Sequence, residues 1–125
     1  MIDALVEVGT TQALREFLPK ARQAQRGFAL LGPACDRAEG KLALLEADYA
    51  KARDQLNRAI RRYDELGAIY EAARTRELLA CTLAPDEARE VRDRALATFE
   101  QLGARPDVER LRISLTLAER AGEGA

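Results

Sequence analysis

The chain has 125 residues, of which 47% are hydrophobic but only 5% aromatic, so there is apolar material for one domain whose core is mostly Leu and Ala. With 20 basic and 21 acidic residues the net charge is -1, which argues against generic nucleic-acid binding, since that needs a basic face to displace counterions. There is no His, so the commonest general base and metal ligand are both missing.

Ala4, Leu5 and Val8 suggest a short opening helix stopped by Gly9. Thr10 or Thr11 can cap the next segment, which carries Ala13, Leu14 and Phe17 at helical spacing. Pro19 either kinks this helix or begins a new one, and the reading adopted is a break followed by a helix to about Leu31. Gly32 then fits a left-handed C-terminal cap, with Pro33 opening a helix through Cys35, Ala38, Leu42 and Leu45.

Asp48 can cap the clearest helix, about Tyr49 to Leu66, whose apolar stripe is Tyr49, Ala52, Leu56, Ala59, Ile60, Tyr63 and Leu66. Its other face carries Lys51, Asp54, Arg58, Arg61, Asp64 and Glu65. Gly67 ends it, and the next helix runs from Ile69 to about Leu83 with Ile69, Ala72, Ala73, Leu79 and Leu83 inward. Pro85 suits the start of a helix through Ala88, Val91, Ala95, Leu96, Phe99 and Leu102, closed by Gly103. Pro106 opens a last helix through Val108, Leu111, Leu115 and Ala118, and residues 121–125 are expected to fray as a disordered tail. No stretch alternates as a strand does.

One pattern recurs: an aromatic, two residues, Leu, then Gly, at Phe28 to Gly32, Tyr63 to Gly67 and Phe99 to Gly103. The glycines lie 35 and 36 residues apart, a period that marks stacked helical hairpins. Ala24, Ala59 and Ala95 precede the aromatic by four, and Ala52 and Ala88 by eleven, forming a flat strip for a partner helix. The aromatic is expected to plug the space between hairpins. The expectation is an all-α fold of six to seven helices in about three degenerate hairpins (roughly 10–45, 46–83 and 84–120), stacked as a short right-handed solenoid within one domain.

These stretches, above all Ala59 to Leu79 and Ala95 to Leu115, resemble the tetratricopeptide-repeat superfamily. They are similar to the C-terminal repeats of large bacterial regulators, such as LuxR-type activators with ATPase modules and cyclase–ATPase fusions. The resemblance spans about Phe17 to Ala118. It departs from the standard repeat in its longer period and in lacking the bulky aromatic and Leu-Gly pair early in each hairpin. The family's P-loop, cyclase carboxylates and helix-turn-helix have no counterpart here. The resemblance implies a tetratricopeptide-like solenoid and a non-enzymatic protein-interaction or regulatory module in a multidomain bacterial regulator.

In such repeats the first helix of each hairpin lines the ligand-facing side. Lys41, Arg76 and Arg112 each stand nine residues after a repeat glycine, so a row of cations could hold an acidic peptide, a C-terminal carboxylate or an anionic small molecule. Their alternative role is an ordinary solvated face. The cluster Arg58, Arg61 and Arg62 has carboxylate neighbours and reads as locally paired surface charge. Glu39, Glu46 and Asp48 are near in sequence, but nothing pairs them with a nucleophile or phosphate loop, so no catalytic residue is assigned. Cys35 and Cys81 lack a metal spacing and read as small buried thiols of a reducing compartment, with a redox role as the alternative. No metal or cofactor is expected.

The last helix has a second apolar side, Ile113 and Leu117, opposite Leu111, Leu115 and Ala118. An exposed strip of this kind marks an interface. The partners expected are therefore a protein, a peptide or an adjacent domain. The alternatives are a homodimer through Ile113 and Leu117, or a small effector in the groove. Leu5 and Val8 raise the same question at the other end. No apolar run reaches the roughly 18 residues of a membrane span. The first residues do not form a signal peptide, so a cytoplasmic location is expected.

Overall fold

The computed structural model describes residues 15, 16, 18 and 29–123. Over these residues it is helical with short connections and no strand, an all-α architecture. Five helices are described: α1 (Leu31–Leu45), α2 (Tyr49–Glu65), α3 (Ile69–Ala80), α4 (Pro85–Leu102) and α5 (Arg105–Glu123). That is fewer than the six to seven expected, because the helical segments expected before Leu31 fall on residues that mostly lie outside the described ones. Arg15, Glu16 and Leu18 are themselves helical, and Leu18 packs against Cys35, Ala38 and Leu42.

Local chemistry explains most helix ends. The Asp48 side chain accepts from the Lys51 amide at 3.3 Å and caps α2. Pro85 stands in the first turn of α4 with Asp86 and Glu87, where its missing donor costs nothing and the acids suit the helix dipole. Gly67 and Gly103 adopt φ of 71° and 69°, and the following amides close the helices: Ala68 donates to Tyr63 and Ala104 to Phe99. Ala47 takes the same left-handed conformation (φ 60°) after α1 without the benefit of being Gly.

The first copy of the pattern departs from the others. Gly32 caps nothing; it is the second residue of α1, and Pro33 follows within that first turn. A Cβ on Gly32 would overlap the guanidinium of Arg62, so this glycine leaves room for a side chain from α2. At the C-terminus, α5 continues to Glu123, three residues into the stretch expected to fray.

Consecutive helices supply the main packing: α1 on α2, α2 on α3, α3 on α4 and α4 on α5. Ala52, Ala59, Ala72, Ala73 and Ala95 are wholly buried, as the small-residue strip requires. Tyr63 lies between Arg37 of α1, whose guanidinium is 5.3 Å from the ring centre, and Ala72 of α3. Phe99 lies between Ala73 of α3 and Leu111 of α5, with Tyr70 edge-on at 5.7 Å. The two aromatics thus fill equivalent places. Gly40 lets α1 approach α2, since a Cβ there would come within 2.7 Å of the Leu56 side chain.

Several stripe residues are exposed instead of buried: Tyr49, Leu66, Ile69 and Leu102. All sit at a helix end, beyond the reach of the neighbouring helix. Cys35 is buried, but Cys81 is exposed at the C-cap of α3, so the buried-thiol reading fails for Cys81. No described helix is long and apolar enough to cross a membrane.

Candidate functional site

Fourth after each repeat glycine stands an acid, Asp36, Glu71 and Asp107, and each takes up a hydrogen bond from another helix. Asp36 is fully buried in α1 and accepts from Arg62 Nη1 of α2 at 3.0 Å. Glu71 of α3 accepts from Arg37 of α1. Asp107, buried in the first turn of α5, accepts from the Tyr70 hydroxyl of α3 at 3.0 Å. Arg110 bridges Glu77 of α3 and Asp107 of α5. The Asp36–Arg62 bond joins neighbouring helices, whereas Arg37–Glu71, Tyr70–Asp107 and Arg110–Glu77 skip the intervening helix and tie α1 to α3 and α3 to α5. The sequence carried the signal in the glycine alignment, which places the three acids in register, but the sequence reading did not single them out.

The seam is electrostatically tight. Burial is the chief cause that pushes the Tyr70 hydroxyl above its ordinary value, and the Asp107 hydrogen bond and charge add to it, with Arg74 opposing. The hydrogen bond to Glu77 is the chief cause that holds Arg110 well above the usual range; burial opposes it, and Asp107 adds to it.

Lys41, Arg76 and Arg112 lie on α1, α3 and α5, the three helices of this seam. They are not equivalent in setting. Arg76 is only 9% exposed and its Nη2 donates to Asp64 at 2.9 Å. Arg112 is exposed and donates to Glu100 at 3.2 Å. Asp64 and Glu100 both follow the repeat aromatic directly, so the two pairs are the same contact in successive repeats. The first copy has Ala29 at that place, and Lys41 is half-buried. A shallow depression of about 410 Å³ adjoins Arg112, lined also by Glu100, Gly103, Arg105, Val108 and Glu109.

The other charged groups have structural partners or lie on the surface. Arg62 leaves its cluster to bind Asp36, while Arg58 and Arg61 stay on the outer face of α2. They border a depression of about 420 Å³ whose five lining residues all belong to α2, which makes it a dent in one helix face and not a cleft. Glu46 pairs with Arg15, and Asp48 is the cap of α2. Among the described residues no three acids or thiols gather as a metal site would need.

Ile113 and Leu117 are 62% and 59% exposed, on the side of α5 away from buried Leu111. No protein family, curated protein or solved structure matches the chain.

Proposed function

We propose that this chain is a helical-repeat interaction module that binds an acidic segment of a partner protein, or of an adjacent domain, on the face formed by α1, α3 and α5. The observation that supports this most is the seam itself. Arg37–Glu71, Tyr70–Asp107 and Glu77–Arg110 hold alternate helices side by side, which is how a stack of hairpins presents one continuous surface. The resemblance to the repeats of bacterial regulators supports the further reading that binding biases an attached effector. Arg76, engaged and buried, is a supporting residue in this reading. Lys41, half-buried on α1, and Arg112, exposed on α5 beside Glu100, are the recognition cations in this reading.

The test is an array of peptides graded from acidic to basic, probed with wild type and with the Lys41→Glu/Arg112→Glu variant, whose fold circular dichroism would check. Acidic peptides should be enriched, and the variant should lose them with a marked salt dependence. Binding that ignores peptide charge, or survives the double change, would contradict the reading.

A further inference from the structure

The side of α5 opposite its buried face carries a patterned strip. At about 100° per residue, Glu109, Ile113, Leu117 and Arg120 fall on one stripe, with Leu111 and Leu115 roughly opposite. All four stripe residues are exposed. Four other charges of this helix are engaged within the chain: Asp107 with Arg110, Arg110 with Glu77, Arg112 with Glu100, and Glu119 with Arg89. Glu109 and Arg120, which flank the two apolar residues, enter no ion pair among the described residues.

The repeat register shows what kind of face this is. Glu109 and Ile113 stand where Ala73 and Glu77 stand in α3, six and ten residues after the repeat glycine. In α3 that side is covered, Ala73 by Phe99 and Glu77 by Arg110. It is the side on which the fold docks a further helix, and in α5 no described residue covers it.

From this geometry we propose that a second copy of the chain covers it, with the two α5 helices antiparallel about a two-fold axis at the level of Leu115. In that arrangement Ile113 meets the partner's Leu117, Leu117 meets the partner's Ile113, and Glu109 and Arg120 form two equivalent ion pairs with the partner's Arg120 and Glu109. A parallel pairing would set Glu109 on the partner's Glu109 and Arg120 on the partner's Arg120, repelling at both ends. The strip is self-complementary in one direction only. Two apolar side chains per copy make a small interface, so the dimer is a weak, reversible one.

Sedimentation equilibrium of the full chain, from low micromolar to millimolar, tests this. Wild type should show a reversible monomer–dimer equilibrium. Ile113→Asp should raise the dissociation constant at least ~tenfold, because it desolvates a charge at the interface centre, while leaving the helical circular dichroism unchanged. Leu117→Asp serves as the second probe should Ile113→Asp unfold. Glu109→Arg and Arg120→Glu should each weaken association, and the double reversal should restore it to within about twofold of wild type. A wild type that stays monomeric throughout, a dimer that survives both Asp changes, or reversals that do not compensate would each overturn the proposal.

Discussion

Three residues show how backbone and packing constraints can pull a position in opposite directions. Ala47 holds a left-handed conformation that suits glycine, so Ala47→Gly should stabilise the fold, by up to about 1 kcal/mol, as read by urea denaturation. Gly40 carries the helix-propensity penalty of an interior glycine yet must stay small beneath Leu56. Gly40→Ala should therefore destabilise by roughly 1–3 kcal/mol in the same assay, despite the better helix former. Tyr70 gives a pH signature. Its folded-state value lies above the ordinary 10, so the neutral form is the one the fold favours. The stability it contributes is complete below about pH 10 and is lost as pH rises toward and through the raised value. Unfolding free energies measured from pH 9 upward should fall less steeply in Tyr70→Phe than in wild type.

At the scale of the elements, what the sequence disclosed depended on whether a feature was local. The caps at Gly67 and Gly103, the Asp48 cap and the start at Pro85 are decided within a few residues, and all were readable. So were the buried alanines, whose spacing marks one helix face. Gly32 was misread because its role is long-range: it clears the path of Arg62 to Asp36, which the local pattern does not reveal. Tyr49, Leu66, Ile69 and Leu102 share the phase of a buried stripe, but phase does not say how far a neighbouring helix reaches. The link between Gly32 and Arg62 can be measured. Gly32→Ala should be neutral or destabilising in wild type, and stabilising by roughly 0.5–1 kcal/mol in an Arg62→Ala background, where only helix propensity remains. Equal effects in the two backgrounds would show that Gly32 does not serve Arg62.

The molecule as a whole is organised by contacts that recur at the repeat period. Arg76–Asp64 and Arg112–Glu100 repeat within the hairpin turns; the acids fourth after each glycine repeat between helices. The sequence showed the cations of this scheme but not their acids, so Arg76 read as a groove residue when its charge is met across the turn. In the proposed function, recognition centres on Lys41 and Arg112 of the α1, α3 and α5 face. The direct measurement is an amide nitrogen–proton correlation spectrum of the labelled chain, titrated with the strongest acidic peptide from the array. Binding on this face predicts shift changes grouped on α1, α3 and α5 around Lys41 and Arg112. Changes grouped on the outer face of α2 around Arg58 and Arg61, or none at saturating peptide, would contradict it.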